Sequence, residues 1–164
     1  FKEFDFMVDY AHNIDGFLEL KKFMDRTNAA VKVGIISVAG DRRDEDIITM
    51  GRLSAQMFDE IIIRHDHDLR GRTQESITEL LTEGLQEVSR FIPIKIISEE
   101  MDAITYCIEN AKKNSFIVDC TDAVKESTDF LANKVKEEKE LTSNDKKVIP
   151  LFVDRSNFGI VSKQ

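Results

Sequence analysis

"VKVGIISVAGDRRDED", Val31 to Asp46, decides how the rest of the chain is read. Val31 to Val38 is a run rich in β-branched residues, without the in/out alternation of a half-exposed strand. That is the pattern of a strand buried on both faces. Ala39-Gly40 ends it, and Gly40 permits a tight turn. Asp41, Arg42 and Arg43 follow as a charged loop. Asp44, Glu45 and Asp46 then place acids where a helix N-terminus favours them. Ile47, Met50, Ser54 and Met57 follow at the spacing of a helix face. The stretch is one strand–loop–helix unit.

The same unit recurs on either side. Phe4 to Val8 precedes a helical stripe of Phe17, Leu20 and Met24. Ile61 to Ile63 precedes Ile77, Leu80, Leu81, Gly84, Leu85, Val88 and Phe91, the clearest amphipathic pattern in the chain. Ile94 to Ile97, begun by Pro93, precedes Met101, Ile104, Ile108 and Ala111. Phe116 to Val118 precedes Val124, Leu131 and Val135, with Thr121 or Asp122 as the helix cap. Val148 to Val153 closes the series. The expectation is a doubly wound, Rossmann-like α/β domain of about six mostly parallel strands, with helices on both faces. Lys134 to Lys147 (KVKEEKELTSNDKK) reads as a solvated helix end passing into a mobile loop.

Composition bounds the function. The chain has 164 residues, one domain's worth, with 41% apolar and 33% charged residues and a formal net charge of −8. That charge argues against a nucleic-acid partner, which needs a basic face. No apolar run approaches the ~20 residues of a membrane span. Two cysteines, Cys107 and Cys120, form no CxxC pair and fit a reducing, cytoplasmic setting without a disulfide. The chain begins at Phe1 rather than Met, which reads as a fragment of a longer protein.

In an open α/β sheet, ligands collect beyond the carboxyl ends of the strands. Four strand-end segments therefore carry the functional reading. Asp9-Tyr10-Ala11-His12-Asn13 offers Asp9 as an acceptor for a ribose diol, and His12 and Asn13 near a helix start that favours phosphate. The same residues also suit a plain strand end with Asn13 or Asp15 as helix cap. In Gly40-Asp41-Arg42-Arg43-Asp44 the two arginines can fork onto a carboxylate or phosphate, or pair with the acids beside them. In the segment from Arg64 to Arg72, His65 and His67 flank Asp66 and could ligate a metal with a third residue such as His12. Alternatively, Asp66 and Asp68 suit a cationic group, while Arg70 and Arg72 suit a carboxylate. Asp119 to Asp122 is the fourth segment. No phosphate loop, GxGxxG turn or nucleophile elbow is present.

Three of these segments, in order, resemble the C-terminal domain of the Mur ligase family. Asp9 to Gly16 (DYAHNIDG) is similar to that family's D-Y-A-H-N-P-x-G, with Ile14 in place of Pro. Gly40 to Asp44 is similar to its G-D-R-D segment. Gly40 to Ile47 (GDRRDEDI) and Asp68 to Arg72 (DLRGR) most resemble the cyanophycin synthetase branch. The resemblance implies that residues 1–164 form one C-terminal domain of a longer ATP-dependent ligase. Such an enzyme joins an amino acid to a carboxylate through an acyl phosphate. It implies Asp9, His12 and Asn13 on the nucleotide, and Asp41, Arg42, Arg43, Asp66, Asp68 and Arg70 around the incoming amino acid. By that branch the amino acid is arginine and the acceptor an aspartate carboxylate of an acidic polypeptide. ATP and Mg²⁺ are held mainly by a domain outside this chain, no catalytic residue or metal ligand is assigned within it, and a homo-oligomer is possible. Two other classes fit the same residues: a non-catalytic nucleotide- or effector-binding domain, and a metal-dependent hydrolase using His12, His65 and His67.

Overall fold

Local chemistry sets where each helix begins. Asn13, in extended conformation, accepts the Gly16 N–H with its side-chain oxygen at 2.8 Å and so starts the first helix; Thr73 caps the third in the same way through the Ser76 N–H. The second helix opens on three acids instead, Asp44 to Asp46. In this computed structural model the backbone is described for residues 1–145 and side chains for residues 1–140. The elements alternate as β1 (Asp5–Asp9), α1 (Ile14–Met24), β2 (Val31–Ile36), α2 (Asp44–Met57), β3 (Glu60–Ile63), α3 (Gln74–Gln86), β4 (Ile94–Ile96), α4 (Glu100–Asn110), β5 (Ser115–Cys120) and α5 (Val124–Asp145).

The five strands form one sheet in the order β1-β5-β2-β3-β4, with every pairing parallel. The chain runs outward from β2 to β4, then returns to insert β5 between β1 and β2. Right-handed crossovers then require helices on both faces. The period of two along each strand sorts the side chains. Ile36, Val38, Ile61, Ile63 and Val118 pack with Phe17, Met24, Ile47, Met50 and Leu81 of α1–α3. Val33, Ile35, Ile62 and Ile117 pack with Ala103, Ile104, Cys107 and Leu131 of α4 and α5. The α/β expectation is therefore correct. The expected sixth strand, Val148 to Val153, lies outside the described residues.

Three details differ from the sequence reading. Ile94 and Ile96 of β4 are largely exposed, because β4 is an edge strand with a neighbour on one side only. Phe91 is 90% exposed, not part of the α3 stripe, because α3 ends at Gln86. The turn beyond it is fixed by Arg90, whose guanidinium donates to the carbonyls of Ala55 and Phe58 at the end of α2. The helix end expected within Lys134 to Lys147 reaches as far as Asp145 in α5, leaving little of that stretch for the expected loop. Cys107 and Cys120 are both buried and free, and burial pushes the Cys107 thiol up to about 12, which keeps it protonated and inert.

Candidate ligand-binding cleft

The return of the chain from β4 to β5 makes the carboxyl ends of β1, β5, β2 and β3 the point where strand order reverses. A cleft of about 190 Å³ opens there, and its polar lining includes His12, Ser37, Arg42, Asp66, Arg70 and Asp122. Ligand pockets of ~300–1,000 Å³ are usual for a whole small molecule. This one is the size of an amino acid or a ribose, not of a nucleotide.

Two loops build its wall, one after β2 and one after β3. A Cβ on Gly40 would meet the Leu69 carbonyl oxygen at 1.9 Å, so only glycine permits this approach. Arg72 clamps the same contact: its Nε–H donates to Gly40 O at 2.7 Å, and a second nitrogen donates to Arg42 O at 2.9 Å and pairs with Asp44. The Arg72 guanidinium is thus consumed in holding the loops, not offered to a ligand. Arg70 has φ +48°, a left-handed conformation uncommon outside glycine. Its guanidinium meets Asp41 at 2.7 Å, and that hydrogen bond holds the Asp41 carboxyl below its ordinary value against some burial. Asp68 accepts the Arg70 N–H at 2.9 Å and shapes the turn.

Arg42 is different. Its guanidinium has no hydrogen bond or ion pair among the described residues, and its Nε is buried without a partner. A buried donor left unmatched is the exception in folded proteins. Opposite charge is present as well: Asp66 lines the cleft and pairs with buried Arg64 at 2.9 Å. His12 engages the Tyr10 carbonyl through Nδ1 at 2.9 Å. A carbonyl can only accept, so Nδ1 carries the hydrogen and Nε2 is the acceptor of the neutral ring.

The other expected residues sit elsewhere. Asp9 and Asn13 border an adjoining hollow of about 450 Å³ on the α1 side, which also shares Tyr10 and His12. One Asp9 oxygen accepts the Ala11 N–H at 2.8 Å, and the Asn13 carbonyl caps α1. Arg43 turns away onto Asp46 at 2.8 Å. His65 is buried, with ring nitrogens 3.1 Å from Ser98 Oγ and 2.9 Å from Thr78 Oγ1, and burial lowers its basicity. His67 is exposed and its nearest carboxylate, Glu99, is at 4.0 Å. His12, His65 and His67 are therefore not brought together, which removes the geometry for a three-histidine hydrolase. Among the described residues no group of three or more His, Cys, Asp or Glu is placed to hold a metal ion.

Residues 2–120 match the model of the Mur ligase family's glutamate ligase domain. The chain belongs to the Mur ligase family. Within that family it is 34% identical over 145 residues to cyanophycin synthetase of Nostoc sp., covering 87% of this chain and 16% of that protein. It is 26% identical over 117 residues to UDP-N-acetylmuramoyl-L-alanyl-D-glutamate–2,6-diaminopimelate ligase of Caldanaerobacter subterraneus, covering 71% of this chain and 24% of that one. Among solved structures, another ligase of the latter name superposes with a TM-score of 0.61 at 21% identity, over 72% of this chain and 24% of that one. FolC of E. coli in complex with ADP superposes with a TM-score of 0.60 at 18% identity, over 79% and 29%. These two establish the shared fold. The chain thus spans a sixth of the length of its cyanophycin synthetase relative.

Proposed function

We propose that this Mur ligase domain is the closing half of an ATP-dependent amide ligase, and that its cleft receives the incoming amino acid. The observation that carries the reading is Arg42: a cleft-lining guanidinium with no hydrogen bond or ion pair among the described residues, in a cleft that also presents Asp66. Such a pair of opposite charges suits a zwitterion, with the ligand carboxylate on Arg42 and its cationic end toward Asp66 and Asp122. A cationic side chain fits best, and arginine is the choice consistent with relatedness to cyanophycin synthetase. The acceptor is then a carboxylate of an acidic polypeptide.

The adjoining hollow offers Asp9 to a ribose diol and His12 Nε2 to the nucleotide. In this reading ATP supplies activation of the acceptor carboxylate as an acyl phosphate. The chain's own contribution is to bind the amine-bearing substrate, orient it, and exclude water when the domain closes. The small volume of the cleft supports a half-site completed by another domain. Alone, the chain is expected to release no phosphate when mixed with ATP, Mg²⁺, arginine and an aspartate-rich acceptor. Arg42→Ala in the full-length protein tests the assignment. Loss of one charged hydrogen-bonding group should lower kcat/KM for the amino acid by about 10- to 150-fold, with KM for ATP little changed. Unchanged amino-acid kinetics would contradict it.

A further inference from the structure

Directly beneath the cleft lies a buried group of charges. Asp119, in β5, is 0% exposed; neither of its carboxyl oxygens makes a hydrogen bond of good geometry, although the Ser127 hydroxyl and the Glu100 carboxyl lie close enough to act on it. It alternates with Ile117, so its side chain lies on the α4/α5 face. The groups around it are Glu100 and Cys107 of α4, Ser127 of α5, Arg64 after β3 and Cys120 beside it. The flanking strands place uncharged Val8 and Ile35 in register with it. The Ser127 hydroxyl already donates to Glu100 Oε1 at 2.6 Å. The Arg64 side chain is 4% exposed; its Nη1 lies 2.9 Å from Asp66 and 3.8 Å from Glu100, and its Nη2 donates to Cys120 O at 3.4 Å. Three carboxyl groups therefore compete for one guanidinium, and that guanidinium currently sits on the one that lines the cleft.

An ionised carboxylate with no donor in a dry site is unfavourable. A proton on Asp119 removes the charge and creates the missing donor, with Glu100 as acceptor. Burial first, and then the Glu100 charge, push Asp119 up to about 7, against the pull of Arg64.

We propose that Asp119 is a positioning residue for the cleft above it: protonated, it hydrogen-bonds Glu100 and leaves Arg64 on Asp66; deprotonated, it draws Arg64 inward and uncovers the Asp66 carboxylate to a cationic ligand. The proton passes to bulk water, and the charge of the buried group falls by one. The step rests on the proposed amino-acid site only for the identity of the ligand; the exchange of Arg64 between carboxylates needs no ligand.

Carboxyl-carbon NMR of the chain, labelled at Asp and Glu and titrated without ligand, tests it. The Asp119 resonance is expected to titrate near neutrality, and the Asp66 resonance to shift with the same midpoint. In Asp119→Asn the Asp66 shift should vanish. An Asp119 midpoint in the ordinary acid range, or an Asp66 resonance flat through Asp119 titration, overturns the proposal. If Asp119→Asn does not fold, the two wild-type midpoints decide alone. Added L-arginine should bind several-fold more tightly at pH 8 than at pH 6 in the wild type. Absence of any arginine binding with the Asp66 shift intact contradicts the amino-acid reading and supports this one. Binding of equal strength at both pH values, with no Asp66 shift, overturns this one and leaves that reading standing.

Discussion

The two faces of the sheet are built differently. The face under α1, α2 and α3 is mostly apolar, with Phe17, Met24, Ile47, Met50, Ile77 and Leu81 all sealed from solvent, and its buried polar side chains Ser54 and His65 are hydrogen-bonded. The helices approach closely enough that a Cβ on Gly84 would meet the Ile48 carbonyl oxygen at 1.9 Å. The face under α4 and α5 has a smaller apolar cluster and, at its upper end, the Asp119–Glu100–Arg64 group. The first face is a source of stability. The second places titratable groups, which contribute little stability or oppose it, under the strand ends where ligands collect.

Substitutions sharpen this contrast. The largest effect is expected at Leu81, fully buried on the apolar face: Leu81→Ala should lower unfolding free energy by about 2–5 kcal/mol in denaturant titration. A loss no greater than that of a surface substitution would break the contrast.

Asp119 should produce the next effect, with a definite sign. Its folded value of about 7 lies above the ordinary 3.8, so the folded chain binds the extra proton in that interval. Stability from this group is complete below pH 3.8 and is lost as pH rises to about 7, with a slope up to about 1.4 kcal/mol per pH unit. The difference in stability between Asp119→Asn and wild type should therefore grow across that window in favour of the variant. A difference that is flat with pH would show that Asp119 is ionised throughout.

Arg72→Ala should cost about 1.5–3 kcal/mol, because it releases two carbonyls and unfastens the cleft wall. Arg43→Ala, which removes an exposed pair with Asp46, should leave the denaturant midpoint indistinguishable from that of the wild type. If Arg43 mattered as much as Arg72, the division between wall and surface would be wrong.

The fold was legible because the period of each segment survived into the structure. Val31 to Val38 reads as a two-faced buried strand, and its alternate residues do feed two cores. The failures are local and physical. Phe91 continues the α3 spacing on paper, but Arg90 is spent on the end of α2 and the chain leaves the helix. At the site, the sequence brings Arg42, Asp66 and Arg70 to neighbouring strand ends, and parallel topology carries them to one cleft. It does not reveal that Arg72 is consumed by backbone carbonyls, or that His65 is bonded to Ser98 and Thr78, since those partners are distant in the chain. Asp119 left one faint sign, a lone acid inside the apolar run Phe116 to Cys120. Its meaning depends on Glu100 and Arg64, which no local spacing connects to it.

The proposed function turns on whether the cleft at the reversal of strand order receives the amino acid. Amide NMR of the ¹⁵N-labelled chain, titrated with L-arginine at pH 8, tests it most directly. Saturable shifts are expected only in the lining segments at residues 37–42, 66–70 and 120–122, and they should be lost in Arg42→Ala. Shifts centred on the exposed β4 edge, or a response at the lining that survives Arg42→Ala unchanged, would contradict it.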